Sequence, residues 1–148
     1  MSETPVLLAP GAEDNGLCGM LADLVRQNLE SKPHKRRDFD ALHGTVGIVA
    51  EDAEVALTLR FDGGKLTLHD GIVGVPDVTI RGTADSIVAM SNVPLTRGLP
   101  VARRKDHDGK KVVDGMMRQM RDGSLRIHGA LLHLPMMMRL TRVMSVNG

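Results

Sequence analysis

The sequence predicts an α+β fold in which helices cover one face of a five-stranded, mostly antiparallel sheet. Three observations support this fold class. Between residues 45 and 82, short segments alternate apolar with polar residues, as strands with one buried face do. Four other segments carry apolar residues at the three- and four-residue spacing of helices. An Asp-Gly-Gly turn between two alternating segments indicates a hairpin, which makes neighbouring strands antiparallel.

The first helix is predicted over Gly16–Ser31. Residues 1–14 contain Pro5, Pro10 and Gly11 without periodicity, so we expect a flexible extension before one domain over residues 15–148. Apolar residues then recur at helical spacing. Asn15 can cap their N-terminal end, and Pro33 prevents continuation beyond it.

The sheet is predicted to begin with three consecutive strands. Thr45–Glu51 and Glu54–Asp62 alternate, and the glycines of the turn at Asp62–Gly64 accept positive φ. This turn leads into a third strand over Lys65–Asp70. Asp77–Gly82 repeats the alternation and is the predicted fourth strand.

The C-terminal half is predicted to contain three helices and the fifth strand. Thr83 or Asp85 can cap a helix that ends before Pro94. The elements expected after it are a loop over residues 93–106, a helix capped by Asp108 and stopped at Gly123, a strand over 125–129, and a helix with Pro135 in its first turn.

Composition favours an ordinary soluble domain. The chain has 148 residues, 42% hydrophobic and 25% charged, with a formal net charge of +1, so no strong overall field names a partner. The single cysteine, Cys18, excludes an internal disulfide. No export signal and no apolar segment of membrane-spanning length is present, so we expect a cytoplasmic protein.

The chemistry-bearing residues form no recognisable active site, so we expect a protein that is not an enzyme and that holds no metal or cofactor. The histidines lack zinc-ligand spacing, and Asp106–Gly109 does not continue as a calcium loop. Cys18 adjoins an apolar stripe and is predicted to be a buried, inert thiol. With two Phe and no other aromatic residue, the chain is not expected to bind nucleic acid.

Three segments resemble, in order, the sterol carrier protein type-two family of non-specific lipid-transfer domains. ALTLRFDGGKLTLHDG resembles the second and third strands and their hairpin, and PDVTIRGTADSIVAM resembles the following strand and helix. DGSLRIHGALLHLPMMMRLTRVMSV resembles the closing strand, glycine and amphipathic helix. The resemblance runs from Leu17 to Val146. It is interrupted over residues 93–121, where this chain is longer than the family pattern.

The resemblance implies that the sheet and helices enclose a hydrophobic cavity for a lipid or sterol. The apolar face of the sheet would supply Leu57, Leu59, Phe61, Leu68 and Ile80. The helices would supply Met90, Met116, Met117, Met120, Met136 and Met137. Methionine adapts its shape, which suits a promiscuous lining, but filling of an ordinary core explains the last five methionines equally well.

The first functional hypothesis is therefore non-catalytic binding, with possible transfer, of a fatty acyl chain, phospholipid or sterol-like lipid. The alternative is a protein-interaction module, or an auxiliary domain that presents a lipid substrate to a separate enzyme. A basic segment could also contact anionic membrane surfaces transiently. Its residues are Arg103, Arg104, Lys105, Lys110 and Lys111.

Overall fold

The computed structural model describes residues 5–96, 100 and 102–148, and it forms an α+β fold. Its strands are β1 (Val6–Leu8), β2 (His43–Ala50), β3 (Val55–Asp62), β4 (Leu66–Asp70), β5 (Val78–Gly82) and β6 (Arg126–His128). Its α-helices are α1 (Gly16–Ser31), α2 (Arg36–Ala41), α3 (Ala84–Ala89), α4 (His107–Asp122) and α5 (Leu134–Met144). Short 3-10 turns cover Ala12–Asp14, Pro33–Lys35 and Met90–Asn92.

The sheet has six strands in the described residues, in the order β1-β4-β3-β2-β5-β6, and not the five predicted. It is also mixed. The pairs β2–β3, β3–β4 and β5–β6 are antiparallel, whereas β1–β4 and β2–β5 are parallel. The hairpin and the alternation predicted the central antiparallel strands, but periodicity within one strand does not say which distant strand pairs with it.

The additional strand, β1, lies within the segment predicted to be a flexible extension. Val6 is completely buried, and the amide of Leu66 donates to the carbonyl of Pro5 at 2.7 Å. The guanidinium of Arg26 on α1 donates to the Val6 carbonyl at 3.0 Å. A three-residue strand is too short to show alternation, which is why the sequence did not predict β1. Residues 1–4 lie outside the described part of the chain.

Helix α2 was also missed, because four of its six residues are charged and it has no apolar stripe. Its one large apolar residue, Phe39, is buried and meets Phe61 of β3 edge-to-face, with ring centroids 6.3 Å apart. Asp38 on the same helix pairs with the Arg142 guanidinium of α5 at 2.9 Å. Asp38 also pairs with Arg139 of α5 at 3.8 Å, so an aromatic contact and two ion pairs position a helix that shows no apolar periodicity.

Most predicted helix ends are confirmed. The side chain of Asn15 accepts hydrogen bonds from the amides of Leu17 and Cys18, and Thr83 accepts from Ser86. Gly123 ends α4 in a left-handed conformation, with φ 85°. The predicted cap Asp108 was wrong: Asp106 begins α4 by accepting from Gly109, which starts the helix at His107.

The helices pack against one face of the sheet, and the other face is partly covered by the loop between β4 and β5. Thr58 on β3 donates its hydroxyl to the Gly71 carbonyl at 2.8 Å and accepts from the amide of Val73 at 3.0 Å. The loop therefore buries Thr58, although Thr58 alternates with the apolar residues of β3 and was expected on the polar face of the sheet.

Candidate functional site

An apolar pocket of about 390 Å³ lies between the helix-covered face of the sheet and the helices. Its base comes from strands β2, β3, β5 and β6, which contribute Ile48, Leu59, Ile80 and Ile127. Ile80 is paired with Ile48 on one side and with Ile127 on the other. The alternation of each strand therefore aims branched apolar side chains at the same space.

The walls come from four helices and from the segment that joins α3 to α4. These residues are Met20, Leu21, Leu24, Ile87, Val88, Met90, Ser91, Val93, Pro100, Met116, Met137, Leu140, Thr141 and Met144. Met20 and Val88 are the most exposed side chains of this lining. Their exposure indicates that the pocket opens to solvent beside α1 and α3.

The lining offers hydrocarbon contact and almost no polar chemistry. Its only polar residues within the described chain are Ser91 and Thr141. The Ser91 hydroxyl donates to the Val88 carbonyl at 2.7 Å, and the Thr141 hydroxyl donates to the Met137 carbonyl at 2.8 Å. Both hydroxyl hydrogens are thus used within their own helical turns, and the site is suited to an apolar ligand.

Five of the eleven predicted ligand-binding residues line this pocket. They are Leu59, Ile80, Met90, Met116 and Met137. The other predicted sheet residues, Leu57, Phe61 and Leu68, are fully buried outside it. Phe61 is occupied by its contact with Phe39 of α2, and α1 packs over the neighbouring part of β3 and β4. The helices that cover the sheet thus leave a pocket over only part of its apolar face.

The three remaining predicted residues are methionines that lie elsewhere. Met117 and Met120 on α4 are exposed, with 54% and 45% of their surface accessible. Met136 lies toward β2, where its Cε is 3.2 Å from the position of a Cβ built on Gly44. Successive helical residues point 100° apart, so Met136 and Met138 diverge from Met137, which faces the pocket.

Several lining residues were not predicted, although most lie on recognised apolar stripes. Leu21 and Leu24 belong to the stripe of α1, and Leu140 and Met144 lie three and seven residues after Met137 on α5. The stripes could therefore have identified them. Val93 and Pro100 come from the segment expected to be a loop, and no periodicity marks them.

The C-terminal residues hold the wall formed by Met90–Val93. The Ser145 hydroxyl donates to the Val93 carbonyl at 2.6 Å, and the amide of Val146 donates to the Ser91 carbonyl at 2.8 Å. Lys35 in turn anchors the C-terminal segment. Its ammonium donates to the carbonyls of Arg142 and Asn147, both at 2.6 Å, and also to that of Ser145.

Lys35 makes these contacts while it is almost completely buried. Burial lowers the pKa of Lys35 to about 8; the nearby charge of Lys32 acts in the same direction and Asp38 opposes it. Among the described residues, Lys35 is thus the one buried charged side chain, and it donates to carbonyls at and just beyond the C-terminal end of α5, outside the pocket lining.

Cys18 is buried, as predicted, and its thiol lies 3.7 Å from the His69 carbonyl. Burial raises the pKa of Cys18 to about 11, and the charge of Asp70 adds to the effect. A thiol with this pKa is protonated near neutral pH and is a poor nucleophile. Among the described residues, no three His, Cys, Asp or Glu side chains are grouped as metal ligands.

The predicted basic residues lie at the start of α4. Arg103, Arg104 and Lys105 precede the helix, and Lys110 and Lys111 occupy its first turns; all five are exposed. Over the described ranges, no helix is long and apolar enough to cross a membrane.

The fold has a counterpart among solved structures. UbiJ-SCP2, described as a ubiquinone synthesis protein, superposes with a TM-score of 0.58 at 13% identity, over 90% of this chain and 98% of that one. A conserved hypothetical protein from Thermus thermophilus, described as possibly a sterol carrier protein, gives a TM-score of 0.42 at 13% identity, over 80% of this chain and 78% of that one. No curated protein matches the sequence.

The sequence itself matches the model of the SCP-2 sterol transfer family over residues 22–98. This segment runs from the middle of α1 through β2, β3, β4 and β5 and past α3, and it supplies three strands of the pocket's base. Because the match spans more than half of the chain, the protein belongs to the SCP-2 sterol transfer family.

Proposed function

We propose that the protein binds one hydrophobic ligand, such as a fatty acyl chain, a phospholipid chain or a sterol-like lipid, in the pocket between sheet and helices, without catalysing a reaction on it. The observation that carries the proposal is the lining: four strands and four helices converge on about 390 Å³ with only two, internally bonded, hydroxyl groups. Membership of the SCP-2 family supports the same function.

The energetics suit binding at micromolar concentration. Transfer of hydrocarbon from water contributes about 0.8 kcal/mol per buried methylene, so about ten methylenes give about 8 kcal/mol, which corresponds to a micromolar Kd. Loss of ligand freedom offsets part of this gain, and further buried groups would be needed to compensate. Five methionines in the lining, Met20, Met90, Met116, Met137 and Met144, would let the pocket accept differently shaped ligands.

The proposal is tested by recovering the ligand. The protein is purified without detergent and measured by native mass spectrometry, and its denatured form is then extracted for lipid analysis. We expect one lipid mass per chain that disappears on denaturation. The protein should also take up a fluorescent polyene fatty acid methyl ester at micromolar concentration. Absence of both co-purified lipid and uptake would contradict the proposal.

We further propose that the protein acts in the cytoplasm and that the exposed basic residues around the start of α4 bring it to anionic membrane surfaces. Transfer between membranes requires this step, whereas presentation of a bound lipid to a separate enzyme does not. They are distinguished by whether purified protein alone accelerates movement of a fluorescent lipid between two vesicle populations.

A further inference from the structure

Helix α4 carries more apolar surface than the rest of the protein covers. Gly109 is its only buried residue, although the helix contains Val112, Val113 and three methionines. Met116 lines the pocket, whereas Met117 and Met120 are 54% and 45% exposed. One side of the apolar stripe therefore faces the pocket and the other side faces solvent.

The helical geometry places basic side chains beside the exposed methionines. With 100° between successive residues, Met120 lies 40° and Met117 lies 100° to the same side of Met116. The next positions around the helix, at about 120° and 140°, belong to Lys110 and Arg121. The Lys110 ammonium donates to the Arg104 carbonyl at 2.7 Å. Within the described chain, neither Lys110 nor Arg121 forms an ion pair with a carboxylate.

The surrounding charge is mixed but predominantly basic. Between residues 103 and 122 there are seven Lys and Arg and four Asp. Asp106 accepts a hydrogen bond from the amide of Gly109 as the helix cap, and Asp108 and Asp122 lie at about 280° and 240°, away from the methionines. Asp114, at about 160°, adjoins Arg121 and follows Lys110 by one turn, so the basic edge includes one carboxylate. An apolar edge flanked by cations, on a helix that is otherwise polar, is the arrangement of helices that lie in the plane of an anionic bilayer surface.

We propose that α4 is the membrane-docking element of this protein, with Met117 and Met120 entering the interface of an anionic lipid bilayer and Lys110 and Arg121 contacting its headgroups. This proposal rests on the proposed lipid-binding function and identifies the partner of the same site. Because Met116 belongs to both α4 and the pocket wall, movement of α4 toward the bilayer withdraws one wall and opens a path between bilayer and pocket.

A fluorophore attached at single sites tests the docking directly. Cys18 is fully buried, so a cysteine introduced as Met117→Cys can be labelled selectively with an environment-sensitive dye. Leu131→Cys is the matched control, because Leu131 is 92% exposed in the turn before α5. On vesicles of phosphatidylcholine with one-third phosphatidylglycerol, we expect a blue shift at position 117 and none at 131. A shift at both positions, or at 131 alone, overturns the assignment to α4.

Vesicle flotation measures the contribution of each side chain. The double variant Lys110→Gln/Arg121→Gln should weaken binding to the anionic vesicles by about 25-fold, since each basic residue near such a surface contributes about five-fold. Met117→Ser/Met120→Ser should weaken it about ten-fold or more. The matched controls Arg37→Gln/Lys65→Gln and Leu131→Ser/Leu132→Ser change exposed residues elsewhere and should bind like the wild type. Equal losses in variants and controls overturn the proposal.

Two further outcomes separate this proposal from others. If wild-type protein does not float with the vesicles but is a dimer in light scattering that Met117→Ser/Met120→Ser dissociates, the exposed stripe binds a second copy and the membrane proposal is wrong. Uptake of the polyene ester by wild-type protein without vesicles is measured in parallel. If the wild-type protein floats with the vesicles but takes up no ester, only the proposed function is contradicted. If it takes up the ester but does not float, only the docking is contradicted.

Discussion

At the scale of single residues, the run of three methionines in α5 shows how one helix divides its side chains between different surroundings. Met137 is 9% exposed and lines the pocket, whereas Met138, its neighbour, does not. Replacing Met137 with Val removes a flexible side chain from the lining and stiffens what remains. We expect Met137→Val to weaken uptake of the polyene ester several-fold and Met138→Val to leave it nearly unchanged. Equal effects in fluorescence titrations would contradict the assignment of Met137 to the pocket.

Lys35 is the one charged residue that is buried in the described part of the chain, and its ammonium donates to three carbonyls. In the variant Lys35→Met, the carbonyls of Arg142, Ser145 and Asn147 lose this donor. We expect the free energy of unfolding at neutral pH to fall by about 2 kcal/mol. Lys32→Met is the matched control, because that ammonium donates to a single exposed carbonyl, that of Val146. Urea unfolding of the three proteins measures both effects.

The same residue predicts a pH dependence. Burial lowers the pKa of Lys35 from its ordinary 10.5 to about 8 in the folded protein. Between these values the unfolded chain binds more protons than the folded one, so the contribution of Lys35 to the free energy of unfolding rises with pH across this window. Below about pH 8 the lysine is charged in both states and contributes no slope. The difference between wild type and Lys35→Met should therefore increase from neutral pH to about pH 10, and parallel profiles would show that burial does not perturb this amine.

At the scale of elements, β1 extends the sheet with only three residues. Val6 points into the core and is fully buried, whereas Leu7 points outward and is 41% exposed. A carboxylate at position 6 would be buried in the apolar core, so Val6→Asp should lower the free energy of unfolding by about 3 kcal/mol. Leu7→Asp should lower it by much less, because position 7 is exposed. Hydrogen exchange checks where the damage occurs. The amide of Leu66, which donates to Pro5, should lose protection in Val6→Asp, and unchanged protection there would contradict the role of β1.

Elements differ in how far the sequence alone could identify them. The central strands, α1, α4 and α5 were predictable, because each is long enough to repeat its own period and several begin or end at a capping residue such as Asn15 or Gly123. Helix α2 could not be recognised, because its position depends on the contact between Phe39 and Phe61, which are distant in the chain. Strand β1 could not be recognised either, because three residues are too few to show alternation.

At the scale of the whole molecule, alternation could predict which strand residues face the helices but not which of them meet empty space. Leu57, Leu59 and Phe61 share one face of β3, yet only Leu59 lines the pocket. The difference arises from where α1 and α2 pack over the sheet, which depends on contacts between distant parts of the chain. The same holds for α4, whose stripe was expected to face inward and is instead divided between pocket and solvent.

The composition of the whole pocket leads to a prediction about its selectivity. Five methionines form part of the lining, and no charged side chain is present in the described part of it, so shape is the main basis for choosing between neutral ligands. A fluorescent sterol and a polyene fatty acid methyl ester should therefore bind with Kd values within about ten-fold of each other, a difference of about 1.4 kcal/mol. The double variant Met90→Ile/Met116→Ile replaces two adaptable side chains with branched ones. It should keep its affinity for one of these two ligands and bind the other more weakly. The matched control Met136→Ile/Met138→Ile changes two methionines outside the lining and should preserve both affinities. A preference above about a hundred-fold in the wild type would instead mean that the pocket is rigid and shaped for one ligand.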